Sequence, residues 1–393
     1  MFDEAHYVPA ADALARLADD SNWEHPPLAK WILGFGARFL SEWLHLVPPL
    51  PAYRIVTAAF GLWALVTIAL ILRDAGMDSW AAQASAWLTG TNFLWFAQSR
   101  TAMLDMFAVA FALAGLREVR RGGEGIAPFA GWALLGFAMG CKWSAAPFVG
   151  LALFWARGSL LSRVAGVFCC GVAYVVPFLP LALLTSHATP ATEIIAYQHR
   201  MLEGFGRVPL ASHPYTSQFW QWPTLLRPAW YHFEQGPAGD RYVWAGGNPL
   251  LYALALPATA WVGLLALRRS ATPLTRSIAL LYWIPLAFDA GLRRAQVYYY
   301  FLPSSLLLGP PWCTPSSTSP GSAGEPASSP RRSSRSRARP SSSTSHRCST
   351  VAWSRATRTT GSCGSAAGDR RVSSRREPRR GTNGPGRPTV MAA

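Results

Sequence analysis

The chain has 393 residues, of which 50% are hydrophobic and only 14% are Asp, Glu, Lys or Arg, with 18 tryptophans. About a quarter of a soluble domain is ordinarily charged, so this composition excludes an ordinary soluble enzyme and points to a chain that lives in a membrane. The net charge of +16 suggests nucleic acid only until it is divided: residues 310–393 hold 15 Arg, no Lys and 3 acidic groups, against 21 basic and 17 acidic in the first 309, so the excess belongs to the tail and no nucleic-acid partner is expected.

The first segment, 1–52, opens with two adjacent carboxylates, Asp3 and Glu4. A solvated pair or a helix cap is the bland reading. Close to a low-dielectric surface one of the two can instead have its pKa raised and act as a general base. HPPLAK follows at His25–Lys30, then WILGFGARFLSEWLHL, where Trp31, Phe35, Phe39 and Trp43 recur every four residues. This pattern predicts an interfacial helix with its aromatic side toward lipid, started by proline where an N–H is dispensable. A helix start beside Lys30 is also a phosphate site, with packing alone as the alternative.

Apolar runs then recur at 53–73, 79–97, 101–116, 126–156, 164–186, 249–267, 277–292 and 297–308. About 20 apolar residues cross a bilayer. The run 126–156 reads as two short crossings that turn near GCKWS, or as one long tilted helix. With the split, alternate loops carry nine cations (Arg73, Arg117, Arg120, Arg121, Arg157, Arg163, Arg268, Arg269 and Arg276) against four (Arg100, Lys142, Arg293 and Arg294). The richer set is expected in the cytoplasm. Segment 1–52, the SRTAMLD corner with Arg100 and Asp105, the GCKWS turn and residues 187–248 then share the extracytoplasmic face. Ionisable residues at a span's end are functional candidates by default. The chain has only two lysines, Lys30 and Lys142, against 34 arginines. Both fall on that face, where they suit either phosphate contact or snorkelling at a helix end.

Residues 187–248 read as a long extracytoplasmic loop rich in Trp, Tyr, His and Pro, fitting an interfacial belt or a platform for sugar or acyl chain. From 310 the chain is Ser/Arg/Pro/Gly-rich without apolar period and is expected to be disordered. Its abrupt onset is what out-of-frame translation of a GC-rich gene produces; a basic tail for anionic lipid is the milder reading. The cysteines show no metal-ligand spacing, so neither metal nor cofactor is expected.

The order FDE, HPPLxK, SRxxxLD, GxKWS, HxYxS with WPxLLRPxWY, and a late R…YYYxxP resembles the protein O-mannosyltransferases, multi-span glycosyltransferases of the GT-C type, over residues 2–308. The resemblance implies an all-α, multi-span membrane fold of compact bacterial form, in the plasma membrane, with an extracytoplasmic active site. It implies transfer of mannose from a polyprenyl-phosphate-mannose donor to Ser/Thr hydroxyls of exported polypeptides, with inversion. Asp3 is then the base and Glu4 its neighbour. Lys30, Arg100 and Arg227 lie near the lipid phosphate, and His25, Asp105, Lys142, His213 and Ser217 line the site. The implied organisation is a catalytic loop (1–52), a transmembrane bundle (53–186), a long outer loop (187–248), further transmembrane helices (249–309) and the tail (310–393). In that family a membrane helix precedes the acidic loop and further spans follow residue 309, so a truncated product is expected. A related enzyme moving another lipid-linked sugar, a transporter and an inactive scaffold are the competing readings.

Overall fold

The computed structural model describes residues 3–122, 126–185, 189–206, 214–237 and 239–308. His213 and the tail from residue 310 lie outside the described residues.

The first helix, α1 (Glu4–Ala15), packs against α2 (Leu28–Arg38). They touch where Gly34 sits against the Ala11 carbonyl, an approach that leaves no room for a Cβ. Helix α2 begins directly after Pro26–Pro27, whose rings cannot donate the N–H a helix interior needs, and it runs on through a π-turn at Phe39–Trp43. Of the four aromatics expected to face lipid, Phe35, Phe39 and Trp43 are exposed. Trp31 turns inward instead, and its indole N–H donates to the Pro177 carbonyl at 3.1 Å.

Among the described residues three helical stretches are long and apolar enough to cross a membrane: α3 (Pro49–Asp74), Leu160–Leu184 and α12 (Pro249–Ala266). The 26 residues of α3 give a rod of about 39 Å, more than a hydrocarbon core requires. These helices expose Leu62, Val66, Phe168, Leu183, Trp261 and Leu264, faces that only lipid or another apolar surface can cover.

The run 126–156 divides near GCKWS, as two short helices rather than one long one. Helix α7 (Ala127–Cys141) ends where Lys142 takes an extended conformation, and α8 (Ala146–Trp155) follows a single 3-10 turn. Helix α6 (Asp105–Arg121) lies close on α7, because a Cβ on Gly115 would fall 2.7 Å from the Gly131 carbonyl. Small residues facing one another are how helices approach in lipid, where apolar burial gives no drive.

Other expected spans come out differently. The run 79–97 breaks into α4 (Ser79–Gly90) and α5 (Phe93–Gln98), since the Asn92 side chain accepts the Leu94 N–H at 3.2 Å and starts a new helix. The stretch 164–186 starts earlier, as α9 (Leu160–Val175), and passes Pro177 in a 3-10 turn into α10 (Leu179–Thr185). The long loop contains α11 (Pro190–Gly206) and an antiparallel hairpin, β1 (Ala229–Glu234) with β2 (Arg241–Ala245). After α13 (Pro273–Gly291), the last apolar run is a 3-10 turn at Tyr298–Phe301 and a short α14 (Leu302–Ser305), both buried.

The polar contacts sort to two ends of the bundle. At one, Arg117 of α6 pairs with Asp74 of α3 at 2.7 Å, among the basic loops. At the other meet the starts of α1, α3 and α6, the end of α7 and the turn before α14.

Candidate active site

Asp3 stands at the residue before α1 without a capping hydrogen bond from its side chain, which places its carboxylate at the helix end where an anion is favoured. The chain then delivers partners from far away. Tyr299 donates its hydroxyl to Asp3 Oδ2 at 2.9 Å, and the Tyr7 hydroxyl stands 3.5 Å from the same oxygen. Burial pushes the Asp3 pKa up, and the Lys142 charge and the Tyr299 hydrogen bond oppose that without cancelling it. Asp3 is therefore a carboxylate of heightened basicity that keeps partial access to solvent.

Glu4, its neighbour, has the opposite character. Arg54 grips it in a two-pronged ion pair, Nε to Oε1 and Nη2 to Oε2, both at 2.8 Å, and the Ala102 N–H adds a third bond at 3.1 Å. Burial favours the protonated acid, but the Arg54 and Ala102 hydrogen bonds outweigh it and hold the Glu4 pKa below its usual value. A carboxylate with its oxygens committed in this way anchors α1 to α3 and to the SRTAMLD corner.

That corner starts α6 at Asp105. Lys142 comes from the break between α7 and α8 and meets both Asp105 oxygens at 2.9 Å. Both side chains are almost wholly buried. Burial disfavours the ammonium, yet the Asp105 carboxylate dominates and the Lys142 pKa is raised. The ammonium lies 4.9 Å and 5.6 Å from the ring centres of Tyr299 and Tyr300, so one aromatic pair touches both the cation and Asp3.

A cavity of about 260 Å³ adjoins this cluster, lined by His25, Lys142, Trp143, Phe205, Arg294 and Tyr300 among others. The ring of His25 packs edge-on against Tyr7 at 5.7 Å, which makes it the wall between cavity and Asp3. Burial first, and then the charges of Lys142, Lys30 and Arg294, push the His25 pKa well down, so it is neutral. Arg294 lies over the Phe205 ring at 4.4 Å with its buried Nε lacking a hydrogen-bond partner.

The structure thus brings Asp3, Glu4, His25, Asp105 and Lys142 together. Lys30, expected at the phosphate, faces the protein interior. Its ammonium has no exposure and bonds Asp20, the Asn22 and His25 carbonyls and the Tyr197 hydroxyl. Arg100 lies on the outside, stacked 3.6 Å over Phe96, at a separate groove shared with Arg54, Tyr242 and Trp244. Arg227 is exposed and donates to the Pro214 carbonyl. Ser217 is buried, accepting from the Trp222 indole at 2.8 Å while its N–H binds the Gln296 carbonyl at 2.9 Å. It holds down the corner that carries Arg294.

Arg54, Arg294 and the two tyrosines are the contributors that sequence reading left unassigned. The late R…YYYxxP pattern hinted at three of them, Arg294, Tyr299 and Tyr300, but not at Arg54. Tyr231 is another: a bulge between Trp230 and His232 leaves it out of the strand pairing, and its buried hydroxyl accepts from Gln98 at 2.8 Å. Among the described residues no cluster of His, Cys, Asp and Glu has the arrangement of a metal site.

No protein-family model matches the chain. In sequence it is similar to the polyprenol-phosphate-mannose–protein mannosyltransferase of Mycolicibacterium smegmatis, in two strains, at 23% identity over 351 residues. The similarity spans 66% of this chain and 65% of that protein, a little under two thirds of the relative's length. In structure it is similar to ArnT from Cupriavidus metallidurans in the apo state, with a TM-score of 0.50 and 16% identity over 79% of this chain and 54% of that one. The Pmt1-Pmt2 complex of S. cerevisiae superposes on 56% of the chain at a TM-score of 0.34, too low to carry weight. The likeness to ArnT shows the fold: an all-α, multi-span helical membrane architecture of the GT-C type.

Proposed function

We propose that the chain is a membrane-embedded mannosyltransferase that moves mannose from polyprenyl-phosphate-mannose to Ser or Thr hydroxyls of exported polypeptides, with the reaction on the extracytoplasmic side of the plasma membrane. The observation that carries this reading is a basic, partly accessible Asp3 that feels the Lys142 charge and is held by Tyr299, next to a cavity whose wall holds Arg294 with an uncommitted donor. Similarity to a protein whose name contains both donor and acceptor class supports it.

The chemistry follows from the charges. Asp3 removes the proton of the acceptor hydroxyl as the oxygen bonds to the anomeric carbon. The bond from that carbon to the phosphate oxygen breaks on the opposite face, which inverts the configuration and releases polyprenyl phosphate. Phosphate is already a good leaving group, so the demand is for positive charge where it departs rather than for a strong acid. Arg294 and Lys142, in a largely dehydrated cavity, supply that charge. Neutral His25 and the aromatic walls exclude water that would hydrolyse the donor. Glu4 serves by fixing the start of α1, and through it Asp3. The exposed apolar faces of the long helices offer the prenyl chain a route within the bilayer.

The test is transfer of radiolabelled mannose from polyprenyl-phosphate-mannose to a Ser/Thr/Pro-rich peptide by membranes containing the full chain, with other lipid-linked sugars as competitors. Transfer that Asp3→Asn abolishes is the expected result. A near-parental rate in Asp3→Asn overturns the base assignment, and preference for another sugar overturns the donor.

A further inference from the structure

Asp289 is the buried carboxylic acid at the cavity that takes no part in the mechanism above. It sits in the last turn of α13, lines the cavity, and is 4% exposed. Its main-chain carbonyl accepts from the Leu292 N–H at 3.1 Å and from Gln296 Nε2 at 2.8 Å. Among the described residues its carboxyl group has no hydrogen-bond or ion-pair partner. Three costs coincide at this position. A carboxyl group is removed from water without a partner; it stands at a helix C-terminus, where the dipole disfavours an anion; and it lies at the end of an apolar helix, where polar groups are retained for function. Stability does not explain such a residue, and charge balance does not either, because the nearby Lys142 is already held by both oxygens of Asp105.

The cavity is divided by charge. Lys142 and the unsatisfied Nε of Arg294 mark one part as suited to an anion. The Asp289 carboxyl group adds no positive charge to hold a phosphate, and its two oxygens suit a group rich in O–H donors. Glu24, the other acid lining the cavity, is exposed to solvent. A sugar phosphate has both halves, and the volume has room for one such group.

Resting on the donor class proposed above, we propose that Asp289 accepts hydrogen bonds from ring hydroxyls of the lipid-linked sugar and is the residue that selects which sugar the cavity admits. Discrimination should then be concentrated at the hydroxyl or hydroxyl pair that reaches Asp289. A donor lacking that hydroxyl leaves the carboxylate buried and unpaired, and is rejected.

The experiment is equilibrium binding of a radiolabelled short-prenyl-phosphate mannose to the detergent-purified full chain, competed by the four monodeoxy sugar analogues, for the parent, Asp289→Asn and Asp289→Ala. Elution as a single species in size exclusion qualifies each variant. One deoxy analogue is expected to compete on the order of 10- to 100-fold more weakly than the rest against the parent, the range for a hydrogen bond to a charged group. That gap should close in Asp289→Ala and narrow in Asp289→Asn. Binding with this pattern but without transfer to peptide overturns the mannosyl-transfer reading and leaves Asp289's role standing. Failure of the parent to bind any lipid-linked sugar, an unchanged gap in both variants, or a uniform loss across all four analogues overturns the role of Asp289.

Discussion

Tyr299 donates a hydrogen bond of 2.9 Å to Asp3 across 296 positions of sequence, joining the 3-10 turn before α14 to the start of the first helix. This contact helps to set how basic Asp3 is. Burial raises its pKa, and the Lys142 charge, followed by this hydrogen bond, holds the rise in check by favouring the ionised form. If ionised Asp3 is the base, transfer is lost as pH falls through its raised pKa. Tyr299→Phe removes a stabiliser of the anion, so the acid limb of the pH–rate profile should move to higher pH while the rate above the limb falls only modestly. Asp3→Asn should reduce the rate by about 10²- to 10⁴-fold at every pH. A limb that stays put in Tyr299→Phe separates Asp3 from the titration.

The same shift makes a prediction about stability, with the opposite sense from an ordinary ion pair. Because the folded state binds the Asp3 proton more tightly than the unfolded chain does, the contribution of Asp3 is favourable at low pH and is lost as pH rises through the raised value. Asparagine resembles the protonated acid. Asp3→Asn should therefore be inactive yet melt slightly higher at neutral pH, by about 2 °C, with the difference vanishing in acid. Thermal unfolding in detergent at two pH values checks this, and a lower midpoint at neutral pH contradicts it.

How much of this was visible in the sequence depends on separation along the chain. The split of 126–156 was legible because GCKWS interrupts an apolar run with a lysine. The division of the loops by charge was read from counts that need no contacts, and Arg117 on Asp74 joins the ends of α6 and α3, which lead into two of the basic loops. The break at Asn92 was overlooked because a single capping residue inside an apolar run barely changes its hydropathy. The chemistry of Asp3 depends on Tyr299 and Lys142, and that of Glu4 on Arg54. No local pattern announces such partners. Lys30 illustrates the limit: the motif marks the residue as important but not the direction in which its ammonium points.

Lys142 and Asp105 form an ion pair with side chains 5% and 6% exposed. Removing one member leaves the other charge buried, which costs about 3–5 kcal/mol, whereas replacing both with apolar groups of similar size is often tolerated. Lys142→Met alone should express poorly or melt early. Lys142→Met with Asp105→Leu should regain most of the stability and remain inactive, because Lys142 also faces Asp3 and the cavity. A stable double variant with parental transfer would assign the pair a purely structural role.

Lys30 provides the sharpest contrast between motif and geometry. Its side chain is fully buried against Asp20 and the Tyr197 hydroxyl, and it draws in the Asn22 and His25 carbonyls, so it ties the loop after α1 to α11. Burial lowers its pKa although Asp20 supports the charged form. The role that follows is a clamp that presents His25 to the cavity. Lys30→Met should destabilise by about 3–5 kcal/mol by stranding Asp20, and Lys30→Met with Asp20→Leu should recover most of that loss. The decisive measurement is the KM for the lipid-linked donor in the recovered double variant. A clamp predicts a value within a few-fold of the parent, because the loop is restored by apolar packing. A lysine that binds the donor phosphate predicts a rise of 10-fold or more, since a charge-assisted contact is lost whatever the loop does.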